Sequence, residues 1–187
     1  MISTRLVGPA ELPLALAEVK AWLRLDGADQ DAVVSTLIGA AAAHVESVLG
    51  LALITQSWRL SLDEWPASGT VRLPIRPLRR LTGLRSYGTD GVARVIPLAD
   101  CITVTGGAAE VRLGAGLVSP GRSLGIEIDY EVGFGAAADV PADLAGAMRL
   151  LVAYWFENRA AVLTAGTGAV VPGSFGALVA PWRPARL

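Results

Sequence analysis

The sequence predicts an α+β fold: a small helical bundle, two N-terminal helices plus a C-terminal helix, with an inserted antiparallel β lobe and an extended apolar arm at the end. Three observations predict it. Apolar residues recur at spacings of three and four within 14–50 and again within 141–159. Between 53 and 133 the pattern changes to short runs rich in Val, Ile, Thr and aromatics, punctuated by Gly, Pro and Asp. Residues 160–187 are rich in Gly and Pro yet stay apolar, unlike an ordinary solvated tail. The division that follows is one domain over 1–159, with helices within 14–50 and 141–159 and the β lobe at 53–133, and a C-terminal docking arm over 160–187.

In the first helix, Leu16, Val19, Ala21, Trp22 and Leu23 form an amphipathic run ending near Leu25, with Asp26-Gly27 as its stop. Asp29 or Asp31 can cap the second, longer helix, whose stripe reads Val33, Leu37, Ala41, His44 and Val48 and which stops at Gly50. The Ala-rich segment 39–43 lets backbones approach closely and marks helix packing either within one chain or between chains. In the lobe, Thr55, Ser57, Arg59, Ser61 and Asp63 alternate with Ile54, Trp58, Leu60 and Leu62. Thr89-Asp90-Gly91 is a hairpin turn between 84–87 and 92–96. The cleanest alternation sets Ile126, Ile128, Tyr130 and Val132 against Glu127, Asp129 and Glu131, which predicts a half-exposed strand. The third helix begins with Pro141 and Asp143 in its first turn and carries a stripe of Leu144, Met148, Leu151, Val152 and Trp155.

The composition narrows the function. With 187 residues, 52% of them hydrophobic and 18% charged, the chain has more apolar surface than one small core readily hides, so part of it should be buried against partners. A net charge of −1 gives no overall attraction to nucleic acid or anionic membrane. The single Cys101 allows neither a disulfide framework nor a Cys-based zinc site within one chain, and a reducing cytoplasm is the simplest compartment. The N-terminal residues lack the order of a signal peptide. Residues 160–182 carry no charge, but Gly166, Gly168, Pro172, Gly173 and Gly176 argue against a membrane span.

No constellation points to catalysis, a metal or a cofactor. Gly133-Phe134-Gly135, with Ala138 three residues on, matches the dinucleotide pattern GxGxxA after a strand. The helix does not start before Pro141 and no second parallel strand follows, so a plain loop is the better reading. His44, the sole histidine, reads as the edge of a packed stripe, and Cys101 as a buried structural thiol. Glu127, Asp129 and Glu131 read as a solvated strand face. Among the five tryptophans, Trp22, Trp58 and Trp155 are expected in cores, whereas Trp182 lies in the arm and suits an interface.

Arg72, Arg76, Arg79, Arg80 and Arg85 form the one basic cluster. Three uses are open to it: a DNA-channel lining that neutralises phosphates, a solvated rim, or half of a charged subunit interface.

Several segments together resemble one known family: LAEVKAWLR at 16–24, ALITQSWRL at 52–60 followed by Asp63 and Trp65-Pro66, YEVGFG at 130–135, VPADL at 140–144, LLVAYWFENR at 150–159, and Val171-Pro172 through LVAP at 178–181 to Arg183. The chain resembles the phage head-tail connector (head-completion, adaptor) family, found in tailed phages, prophages and gene transfer agents. The resemblance spans nearly the whole chain and is specific through its combination. It implies a non-enzymatic protein assembled in the bacterial cytoplasm that sits in the neck between head and tail. There it would dock on a portal protein, join copies of itself in a ring, twelvefold by that resemblance, and receive the next tail component. DNA would pass through the channel without sequence-specific contact. The arm residues Val170, Val171, Pro172, Phe175, Leu178, Val179, Pro181, Trp182 and Arg183 become candidates for the portal or subunit interface. The competing classes are a small nucleotide-binding domain using residues 133–138 and a DNA-binding module using the arginines.

Overall fold

A computed structural model describes residues 1–105, 109–113, 125–158 and 171–183. These divide into a sheet unit, residues 1–10 and 55–134, and a helical unit, residues 11–54 and 135–187.

The helical unit is built on α2 (Asp31–Leu49) and α3 (Ala142–Glu157), which pack together, with α1 (Leu16–Leu23) against α2 and a further helix α4 (Gly173–Val179) against α3. α1 stops at Arg24, which takes the left-handed conformation (φ 56°) ahead of the expected Asp26-Gly27 stop. The N–H groups of Arg24 and Leu25 return to the carbonyls of Ala21 and Lys20, satisfying helix-end acceptors. The buried stripe of α2 is Val34, Ile38, Ala41, Val45 and Leu49, rotated by about one residue from the expected one. Val33 and Val48 are exposed. The helix is apolar nearly all round, so two stripes of the same spacing compete and tertiary packing chooses between them. That composition also makes α2 long and apolar enough to cross a bilayer, yet its stripe is a core contact. α3 buries Leu144, Met148, Leu151, Val152 and Trp155 as expected, with Pro141 one position ahead of its first residue.

The sheet unit holds a five-stranded antiparallel sheet in the order β1-β2-β8-β4-β5 and a three-stranded one in the order β3-β7-β6. The strands are β1 (Ile2–Val7), β2 (Gln56–Leu62), β3 (Thr70–Arg72), β4 (Leu78–Tyr87), β5 (Ala93–Val95), β6 (Cys101–Val104), β7 (Glu110–Leu113) and β8 (Gly125–Val132). β8 is central: Trp58 pairs with Tyr130 on one side and Leu81 with Tyr130 on the other, and Leu60, Ile128 and Leu84 align in the same way. Tyr130, Leu81, Leu60, Ile128 and Leu84 make the buried face, since every second side chain points the same way, while Trp58, expected in a core, is only half-buried. The hairpin at Thr89-Asp90-Gly91 joins β4 to β5, with Gly91 at φ 73° and its N–H bonded to the Gly88 carbonyl.

One strand was missed and two expectations need correction. β1 had no sequence signal and proves to be an edge strand paired to β2. Trp22 lies 63% exposed on α1 rather than in a core. The end of the arm is not extended: residues 173–179 are helical, because Phe175 and Val179, one helical turn apart, reach the same apolar surface of α3.

Candidate functional site

The sequence-predicted residues fall in two places. On the polar face of the five-stranded sheet, β2, β8 and β4 bring basic and acidic side chains into lateral register. Arg59 stands opposite Asp129, Arg80 opposite Glu131 and Arg85 opposite Glu127. Arg59 donates to Asp129 through Nε at 2.6 Å and Nη2 at 2.8 Å, while Arg85 Nη1 reaches the same carboxylate at 3.0 Å. Arg80 makes a two-point contact with Glu131 at 2.8 and 2.6 Å. Arg59 Nη1 also lies 3.2 Å from Glu127, which accepts from the Tyr87 hydroxyl at 3.0 Å.

The charges of this ladder cancel, three against three. The hydrogen bond from Arg59 holds the Asp129 carboxyl below the ordinary carboxylate range despite its burial, and Arg85 adds to the effect. Arg80 does the same for Glu131. The bond to Glu127 raises the Tyr87 phenol. Charge-assisted, two-point bonds of this kind fix strand register as well as charge. The acidic face expected to be solvated is therefore tied to arginines of the same sheet, and Asp129 is buried.

The basic cluster is consequently divided. Arg80 and Arg85 are neutralised in the ladder. Arg79 is exposed and donates to the Phe134 carbonyl at 2.8 Å. Arg72, on β3, shares Glu110 with Arg112, at 3.1 and 2.9 Å, so one positive charge is in excess there and the Glu110 carboxyl is held low, by Arg112 first. Arg76 is half-buried in the turn before β4.

The second place is the arm. Phe175 and Val179 are buried within the helical unit, and the Trp182 indole N–H donates to Asp143 Oδ2 at 2.6 Å, at the N-terminal turn of α3. Phe175 stacks at a tilt on His44, 5.5 Å between ring centres, and Trp155 meets the same imidazole edge-on at 6.0 Å. That places His44 in an aromatic cluster. Val171, Pro172 and Leu178 are half-buried, while Pro181 and Arg183 are exposed. Val170 lies outside the described residues.

The GxGxxA stretch is a loop whose polar groups are already used. Asp139 Oδ2 accepts from the Ala136 N–H at 2.9 Å, and Glu11 Oε1 accepts from the Ala137 N–H at 2.8 Å. Two carboxylates thus occupy the donors that a pyrophosphate would need. Cys101 is half-buried, its thiol raised by burial. Among the described residues no group of three or more His, Cys, Asp or Glu side chains could hold a metal ion.

Residues 14–171 match the head completion protein family. The chain belongs to that family. Three solved chains are similar over its entire length and over 97% of their own: one from the neck of an empty gene transfer agent (GTA) particle computed with C6 symmetry, 28% identical with a TM-score of 0.83; one from the virion of a native GTA particle, 30% and 0.81; and one from the neck of a native GTA particle computed with C12 symmetry, 28% and 0.80. No curated protein matches. The head completion match takes in α1 to α3 and strands β2 to β8, and stops short of β1 at one end and α4 at the other. The charge ladder and the His44 cluster thus lie largely within the family's span, whereas the arm residues from Pro172 onward lie beyond it.

Proposed function

We propose that this head completion protein is a structural head-tail connector of a tailed phage or gene transfer agent particle. It docks on the portal, forms a ring around the DNA channel in the neck, and receives the next tail component. The observation that supports the reading is similarity over the whole chain to neck and virion chains. A structural rather than catalytic role is supported by the occupied donors at 136–137 and by the internally neutralised ladder, which leaves no unpaired acid or base poised on that sheet face.

Within this reading the arm meets the portal or a neighbouring subunit through its outward side: Leu178, Pro181 and Arg183, with Val170, Val171 and Pro172 leading into it. Phe175, Val179 and Trp182 hold the arm on α3. DNA contact by the basic cluster falls to Arg72 and Arg79, because Arg80 and Arg85 already have their charge balanced and release few counterions on meeting phosphate.

Mixing the purified chain with portal complexes from its own particle and imaging the product by electron microscopy tests the reading. A ring of density beneath the portal is expected; intact portals that stay bare refute it. Pro181→Asp with Arg183→Glu tests the arm, since both side chains are exposed and the substitutions leave the α3 contact in place. Attachment unchanged by this pair would remove the arm from the interface.

A further inference from the structure

Among the described residues, exposed apolar side chains mark both edges of the five-stranded sheet. Ile2, Leu6 and Val7 stand out of β1, and Val92 and Val95 flank and end β5, with Ile2 68% and Val95 76% exposed. β1 and β5 are the opposite edges of the five-stranded sheet, and among the described residues each pairs with a single strand. All six residues of β1 and all three of β5 are exposed.

Edge strands offer rows of unpaired N–H and C=O groups, and soluble proteins usually blunt them with lysine, proline or a cover. β1 reads ISTRLV, without lysine or proline, and keeps regular pairing from Ile2 to Arg5 before its bulge. Such an edge is suited to strand addition.

We propose that the subunit contact of the ring joins the β1 edge of one copy to the β5 edge of the next. The proposal rests on the ring reading above and names its surfaces. A closed ring needs a head-to-tail contact between two different patches of one chain, and two apolar edges at opposite ends of a single sheet meet that requirement. The occupant of each edge is thus a second copy of this chain.

Strand direction follows from the topology. All four pairings in the sheet are antiparallel, so the first and fifth strands run the same way. Repetition of the sheet edge to edge by a small rotation preserves that direction, and β1 and β5 pair in parallel. Val7 and Val95, each the last residue of its strand, then lie at the same end of the contact. The three residues of β5 limit the ladder to a few hydrogen bonds, which makes the contact weak between free chains and effective where a portal holds many copies together.

The test uses the full chain assembled on portal complexes, with ring occupancy read by electron microscopy. Val7→Glu and Val95→Lys each place a charge in the contact, and each is expected to lower occupancy about tenfold at fixed concentration. The double variant places the two charges together and is expected to recover occupancy. Melting curves that match the unsubstituted chain show that both exposed sites leave the fold intact. In a Cys101→Ser background, Leu6→Cys with Arg94→Cys, each one position before the end of its strand, is expected to give a ladder of disulfide-linked multimers after oxidation of the rings, as their Cα atoms must lie within about 7 Å. Rings that form equally well in both single variants, or that give no ladder, overturn the proposal while leaving the connector reading intact. An unsubstituted chain that forms no ring on intact portals overturns the connector reading, and this proposal with it.

Discussion

Replacing Asp129 by Asn tests whether the charge ladder holds the sheet together. The substitution keeps size and shape and removes the charge. Asp129 has a side chain only 11% exposed and accepts three guanidinium hydrogen bonds, at 2.6, 2.8 and 3.0 Å. Hydrogen bonds to charged groups contribute about 1.5–3 kcal/mol each, and removing one partner of a fully buried pair costs about 3–5 kcal/mol. Two facts lower that figure here. Arg59 and Arg85 keep side chains 30% and 38% exposed, so water screens them, and Glu127 remains 3.2 and 3.9 Å away as a second partner. An Asn carbonyl also retains one acceptor. The expected loss is about 2 kcal/mol in unfolding free energy at neutral pH, read by urea denaturation.

The pH dependence gives the sharper check. The folded-state pKa of Asp129 is depressed, by Arg59 first, so its contribution is fully present above the unfolded value of about 3.9 and is lost as pH falls through the lower folded value. The gap between wild type and variant should be widest at pH 7 and close progressively below about pH 4. A gap that is the same at pH 7 and pH 2.5, or no measurable gap at pH 7, refutes the assignment of stability to this charge.

Phe175→Ala removes the arm's largest buried contact, and truncations of this kind cost up to about 3–5 kcal/mol in a rigid core. A seven-residue helix is expected to release locally instead, so amide exchange in 173–179 should accelerate well before the melting temperature of the chain moves much. Gly39→Ala in the interior of α2 should stabilise the chain by about 0.5–1 kcal/mol, because a Cβ there meets nothing within 4 Å. If the same variant assembles poorly on portals, the small residue serves a contact between chains. Trp182→Phe, which keeps an aromatic side chain but loses the indole N–H to Asp143, should cost about 1–2 kcal/mol in arm docking, measured by the same exchange experiment.

What could be read from the sequence depended on whether a segment has one buried face. α3 carries a single apolar stripe, and its buried residues match the expected ones. β8 alternates cleanly for the same reason. α2 is apolar on most sides, so spacing alone cannot choose between the Val33 and Val34 stripes. β1 has no buried side chain at all, so it shows no apolar alternation to detect; it is held by backbone pairing to β2 and by Arg5 over the Trp58 ring. The alternating acids at 127, 129 and 131 were visible, but their arginine partners lie at 59, 80 and 85, and strand register is needed to join them. α4 was hidden by Pro172, Gly173 and Gly176, which read as chain breakers although Pro172 stands just ahead of the helix, where a missing N–H costs nothing.

Part of the apolar surplus was expected to be buried against partners, and where it lies bears on assembly. The buried arm residues Phe175 and Val179 complete the chain's own helical core, so they reduce the surplus rather than represent it. Among the described residues the exposed remainder lies mostly in the sheet unit, on β1 and between 92 and 104. A monomer gains nothing by exposing such side chains at strand edges, where they invite uncontrolled pairing. The proposed edge-to-edge contact would cover both edges and turn that liability into the joint between copies. The balanced ladder on the adjoining polar face complements this arrangement. In the proposed ring, neighbouring copies that repeat a neutral, internally paired face would not repel one another, whereas an unneutralised row of arginines on every copy would place like charges side by side and oppose closure.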